Sequence, residues 1–272
     1  MNRHKGDGHQ GDGHLGTLYL VPAPLDFGTN AAEPEEVTQW LPTETLAVAS
    51  RLTHWITENA KSTRAFLKRV ESVGTLGCPL QAQQLMELPR AAHKKGDHQP
   101  GMEADAMARS LLAPALEGHD MGLVSEAGMP AIADPGSSVV RAAHALGLRV
   151  VALTGPVSLM LALAASGLNG QNFAFVGYVP QDPAERAQRV RELESLALKT
   201  GQTQILIETP YRNSALLQSL LQTLQPHSRL ALACALTLPE QAVRSALVSD
   251  WKRKTLSQQL PLDKPTVFLF GR

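Results

Sequence analysis

Residues 123–136 read LVSEAGMPAIADPG. The stretch leaves a short apolar run at 120–124, passes two glycines and two prolines, and enters a helix-spaced segment at 137–146. It reads as strand, long loop and helix in that order, the opening of a βα unit. A connection so rich in Gly and Pro is more than a turn requires. Gly128 and Gly136 let backbone approach a ligand closely, and the prolines hold the loop in one shape. Open α/β sheets bind ligands outside the carboxyl ends of their strands, so this loop is the first place to seek a site. Glu126 sets a carboxylate there that can accept a hydrogen bond from an amine or hydroxyl. Asp134 and Pro135 read as the cap and first residue of the following helix.

The alternation continues on both sides of the loop. Before it, apolar runs at 17–21, 54–57 and 84–88 read as strands, and 43–52, 62–73 and 103–117 as helices. After it come a strand at 149–153 and a helix at 158–166, then strands at 173–179, 203–207 and 229–235 with helices at 184–198 and 214–224. Two more strand-like runs, 241–248 and 266–270, follow with little helix between them. Strands alternating with helices predict βαβ units. The expected fold class is therefore α/β, as two α/β domains, with a largely parallel sheet in the first and a mixed sheet in the second. The expected divisions are a tail at 1–15, an N-terminal domain at 16–154 and a C-terminal domain at 155–272.

Composition narrows the function. Of 272 residues, 43% are hydrophobic and 18% charged, enough for a packed core. Lys and Arg number 25, as do Asp and Glu, so bulk charge does not drive nucleic-acid binding. Aromatics at 4% make a base-stacking platform a poor expectation. Two cysteines, Cys78 and Cys234, support neither a disulfide framework nor a cysteine-rich zinc site. The polar first 14 residues lack the apolar run of a signal peptide, and no stretch approaches the ~18 apolar residues of a membrane span. A cytoplasmic protein with no metal and no membrane partner is expected. Gly6, Gly8 and Gly11 spell GxGxxG, but no strand precedes them, so the dinucleotide reading fails. His4, His9 and His14 belong to the same solvated tail.

Three other loops leave strands. Val21-Pro22-Ala23-Pro24-Leu25 follows the first strand. Thr154-Gly155-Pro156-Val157-Ser158 opens a helix, as a hinge or as a ligand contact. Ile207-Glu208-Thr209-Pro210-Tyr211-Arg212 offers a carboxylate that is either catalytic or paired with Arg212. Glu58, Lys61 and Arg64 follow the second strand, either as a solvated helix start or as groups facing a substrate. Arg186, Arg189 and Arg191, with Lys252, Arg253 and Lys254, form the dense basic runs, and Glu185, Glu192 and Glu194 interleave with the first. No GxSxG, GxxxxGK[ST] or HExxH pattern occurs.

Taken together, the loops resemble the tetrapyrrole-methylase superfamily of S-adenosylmethionine-dependent methyltransferases, in the branch that 2′-O-methylates a cytidine of 16S rRNA. LVSEAGMPAIADPG is similar to that branch's LVSDAGTPLISDPG. Gly155–Ser158 with residues 164–168 resembles PGPSA…SGL, FAFVGYVP at 173–180 resembles F-x-F-x-GFLP, IETPYR at 207–212 resembles YESPHR, and ENAKSTRAFL at 58–67 resembles EDTRHTRKLL. The chain departs from the pattern at Glu126 for Asp, Met129 for Thr, and Asn59 and Lys61 for the Asp and Arg of EDTR. PAPLDFG stands in place of ATPIGNL, no HxHNE counterpart occurs, and 233–238 reads ACALTL in place of ARELTK.

The resemblance implies a homodimer and S-adenosylmethionine as cofactor. It implies cofactor contacts from Pro24, Leu25, Ser125, Glu126, Ala127, Gly128, Met129, Pro130, Ser158, Leu159, Thr209, Ala235 and Pro265. It further implies rRNA or the 30S subunit as substrate. From their place after a strand end, Lys61 and Arg64 are expected to meet substrate phosphate or the developing oxyanion, with Glu58 orienting them. A methyltransferase of the same fold acting on a tetrapyrrole-type small molecule, and a non-catalytic paralogue that binds the cofactor, stand as alternatives.

Overall fold

Five short strands, β1 (Thr17–Leu20), β2 (His54–Thr57), β3 (Gln84–Glu87), β4 (Met121–Val124) and β5 (Arg149–Ala152), pair in the order β3-β2-β4-β1-β5, all parallel. This computed structural model describes residues 14–26, 37–89, 102–254 and 256–272. The tail at 1–13, with His4, His9 and the glycine pattern, lies outside the described residues. The chain divides into two compact units between Gly155 and Pro156, beside the 154/155 division read from the sequence.

In the first unit, helices α1 (Thr43–Arg51), α2 (Ala60–Glu71), α3 (Met102–Leu111), α4 (Ala113–Leu116) and α5 (Ser137–Ala145) connect the parallel strands. Side chains of a strand alternate between faces. Trp55 accordingly joins Leu52, Phe66 and Leu67 in one apolar cluster, while its neighbour Ile56 joins Leu112, Met121, Leu123 and Val139 in another. The sheet is thus covered on both sides, as a parallel sheet requires. The helix expected at 103–117 is broken: Leu112 interrupts it and Pro114 stands in the first turn of α4. Proline has no amide to donate and crowds the preceding turn.

The second unit carries β6 (Phe173–Gly177), β7 (Thr203–Glu208), β8 (Arg229–Cys234), β9 (Ala242–Leu247) and β10 (Thr266–Gly271) in the order β6-β7-β10-β8-β9. Only β6 and β7 run parallel; the other three pairings are antiparallel. Helices α6 (Ser158–Ser166), α7 (Pro183–Thr200), α8 (Asn213–Thr223) and α9 (Val248–Lys254) belong to this unit. The Asp182 carboxylate caps α7, accepting from the amides of Ala184 at 2.9 Å and Glu185 at 3.0 Å, and Pro183 opens the helix. Leu193, Leu206, Leu217, Leu220, Leu232, Phe268 and Phe270 fill the core.

Helix α9 and the 3-10 turn Leu256–Gln259 lie where little helix was expected. The run Trp251-Lys252-Arg253-Lys254 hides the helix behind charge. Trp251 is buried and donates its indole N–H to the Leu230 carbonyl at 2.9 Å, while the neighbouring Arg253 pairs at the surface with Asp250 at 2.7 Å. Among the described residues no helix is long and apolar enough to cross a membrane.

Candidate functional site

Parallel pairing of β2 with β4 sets Thr57 opposite Val124, so the residues leaving those strands emerge side by side. Glu58 accepts a hydrogen bond from the Glu126 amide at 3.2 Å. Asn59 donates its side-chain N–H to Glu126 Oε1 at 2.9 Å. The same Asn59 side chain caps α2, its Oδ1 accepting from the amides of Lys61 at 2.9 Å and Ser62 at 3.4 Å. Thr57 and Thr63 share a hydroxyl–hydroxyl hydrogen bond, and Glu87 Oε1 accepts from the Ala60 amide at 2.8 Å. The start of α2 is therefore tied to three strand ends.

The neighbouring strand β1 pairs with β4 on the other side and delivers the 22–25 segment to the same edge. Ala23 and Gly128 exchange both backbone hydrogen bonds, each 2.9 Å, as an isolated antiparallel bridge. Gly128 has φ +72°, a conformation natural to glycine. Pro22, Ala23, Pro24 and Leu25 are buried, as are Ser125, Ala127, Gly128 and Pro130; Glu126 and Met129 are half-buried. The Ser125 hydroxyl is buried and has no hydrogen-bond partner among the described residues. An unpaired buried polar atom is costly, so its place in a loop at strand ends marks a position where a ligand group can bond.

Asp134 does not cap the helix as read from the sequence. Helix α5 begins at Ser137, its cap residue is Gly136 at φ +135°, and Pro135 precedes it. Ala131 and Ala133 both adopt positive φ in the same loop, at 64° and 65°. Burial pushes the Asp134 carboxyl up to about 7, helped by the charges of Glu58 and Glu126. Glu58, at the end of β2, thus shares one edge of the sheet with Glu126 and Asp134 of the loop after β4.

Lys61 and Arg64 stand exposed on the first turns of α2. Through the Glu126 amide, Glu58 braces the 125–130 loop.

In the second unit, Thr209, Ala235 and Pro265 gather at one edge of the mixed sheet. The Ala235 amide donates to the Pro265 carbonyl at 2.9 Å, and Thr266 of β10 lies opposite both Glu208 of β7 and Cys234 of β8. Ala235 and Thr237 take positive φ, 51° and 69°. Glu208 Oε1 accepts from the Thr209 amide at 2.7 Å and from Arg212 Nε at 3.0 Å and Nη2 at 2.8 Å. The Glu208–Arg212 pair read from the sequence is formed. Ser158 is the first residue of α6 and half-buried; Leu159 beside it is buried. Arg186 bonds to Ser219 and Arg189 to Glu192, so these members of the basic run serve the surface of α7.

A family model described as Tetrapyrrole (Corrin/Porphyrin) Methylases matches residues 50–251, well over half of the chain, and the chain belongs to that family. Ribosomal RNA small subunit methyltransferase I of Pseudomonas aeruginosa is 35% identical over 145 residues, covering 52% of this chain and 50% of the relative. The protein of that name from Vibrio cholerae is 35% identical over 154 residues, covering 57% and 51%. The chain spans about half the length of these curated relatives. A uroporphyrin-III-C-methyltransferase from Thermus thermophilus has the same fold, with TM-score 0.51, 22% identity and 94% of each chain covered.

Proposed function

We propose that the chain is an S-adenosylmethionine-dependent methyltransferase that methylates a ribose 2′-hydroxyl of 16S rRNA, with the 30S subunit as its substrate. The observation that carries the reading is the 125–130 loop, joined to the 22–25 segment through Ala23 and Gly128 and holding the buried Ser125 hydroxyl, which has no partner among the described residues. Membership of a methylase family and likeness to rRNA methyltransferases support the choice of chemistry and acceptor.

The residues present fit the cofactor. Pro24, Leu25, Ala127 and Pro130 offer apolar surface for a base, Ser125 offers a hydroxyl, and Glu126 a carboxylate for a ribose or amine. When bound, the cofactor supplies a methyl group made electrophilic by its sulfonium. The protein's part is then to hold the acceptor oxygen in line, which is chiefly a positioning task. Glu58 braces the 125–130 loop through the Glu126 amide. Exposed Lys61 and Arg64 meet substrate phosphate or the charge that develops on the acceptor oxygen. The protein acts as a homodimer in the cytoplasm.

Calorimetry with S-adenosylmethionine tests the cofactor, with saturable heat expected; no heat overturns the reading. Mapping ribose methylation in 16S rRNA from a strain lacking the gene tests the acceptor. One 2′-O-methyl mark is expected to vanish, and an unaltered map rejects the RNA substrate. Light scattering at micromolar concentration tests the dimer.

A further inference from the structure

Among the described residues, one side chain links helix α2 to the 125–130 loop through both ends of its amide. Asn59 Oδ1 accepts from the amides of Lys61 and Ser62, and Asn59 Nδ2 donates to Glu126 Oε1 at 2.9 Å. An amide is the group suited to this place, because it accepts toward the helix and donates toward the carboxylate at once. Aspartate would cap the helix equally well, but it has no hydrogen to give Glu126.

We propose that Asn59 is a positioning residue: it fixes the Glu126 carboxylate and thereby sets the 125–130 loop in register with the helix that carries Lys61 and Arg64. The role rests on the proposed cofactor site, since Glu126 is the group through which Asn59 acts. Its surroundings sharpen the requirement. Glu58 lies against the Glu126 amide, Glu87 against the Ala60 amide, and Asp134 shares the same edge, so a further negative charge at position 59 faces carboxylates from β3, β4 and its own element. A hydrogen bond to a charged partner is also stronger than a neutral one.

The test is a double-substitution cycle on the full chain, read in two ways. Asn59→Asp retains the cap and loses the donor. Glu126→Gln supplies a donor that an aspartate at 59 can accept from. In the wild-type background, Asn59→Asp is expected to weaken S-adenosylmethionine binding by about tenfold and to speed amide exchange in the 125–130 segment. In the Glu126→Gln background the same substitution is expected to change neither reading further, because the pair is restored with donor and acceptor exchanged. Equal losses in both backgrounds, or no change in either reading on Asn59→Asp, overturn the proposal. Amide exchange is measured without ligand. A wild-type protein that fails to bind the cofactor therefore defeats the proposed function while the link between Asn59 and the loop is still decided by exchange. Melting temperature serves as the control for the cap, and a fall in Asn59→Asp that Glu126→Gln does not reverse assigns Asn59 to stability alone.

Discussion

Ala23 and Gly128 face each other across the carboxyl edge of the parallel sheet and satisfy each other's amide and carbonyl. The bridge requires positive φ at position 128, and a side chain there is strained by about 1–2 kcal/mol. Gly128→Ala is expected to lower unfolding free energy by that amount in urea titration and to weaken cofactor binding in parallel. Gly128→Pro removes the amide that bonds Ala23 and is expected to cost more.

Asp134 gives the protein an unusual pH dependence. Its carboxyl titrates near 7 in the fold and near its ordinary 3.8 when unfolded. Between those values the folded chain holds a proton that the unfolded chain has released, so this group's contribution to stability falls as pH rises through the window and stays low above it. Asp134→Asn is expected to flatten that slope and to gain roughly 2–4 kcal/mol at pH 8, with little change at pH 4. Denaturant midpoints measured from pH 4 to 8 check both the sign and the window.

Glu194, read from the sequence as one of the acids that interleave with a basic helix face, is a core residue instead, 3% exposed. Its Oε1 accepts from the Gln225 amide at 2.8 Å and the Ser228 hydroxyl at 2.5 Å, locking α7 to the turn before β8. Glu194→Ala leaves two donors unpaired and is expected to cost about 2–3 kcal/mol, with Glu194→Gln less damaging. Chemical denaturation of the two variants measures the difference.

Lys61 projects into solvent, and its loss should leave the melting temperature where it is. If it meets the acceptor strand, Lys61→Ala lowers the rate of methyl transfer to 30S subunits by about tenfold or more. A single-turnover assay with saturating cofactor reads that rate, and an unchanged value makes the residue part of a solvated helix start.

The fold was legible where local pattern and tertiary context agree. The strand at 54–57 and the helix at 158–166 fall on the expected residues: Trp55 and Ile56 mark the first, and the unbroken apolar run 159–165 between Pro156 and Gly167 marks the second. Helix α9 was hidden because its buried face is little more than Val248 and Trp251, set among charged neighbours. The loop after β4 stood out as a candidate site from its glycines and prolines. Its chemistry was not visible, since Glu58 meets Glu126 and Asp134 only because β2 and β4 are neighbours in a sheet whose order departs from chain order. Nothing in the spacing of ENAK and SEAG announces that Asn59 reaches Glu126; that contact depends on the Thr57–Val124 register.

The strand β10 lies in the middle of its sheet, between β7 and β8, and all six of its residues are buried. During synthesis, the β6–β7 pair and the β8–β9 pair have no seam along which to join until residues 266–271 have cleared the ribosome. Until then both halves present open edges and uncovered apolar side chains, the condition in which a nascent chain depends on chaperones.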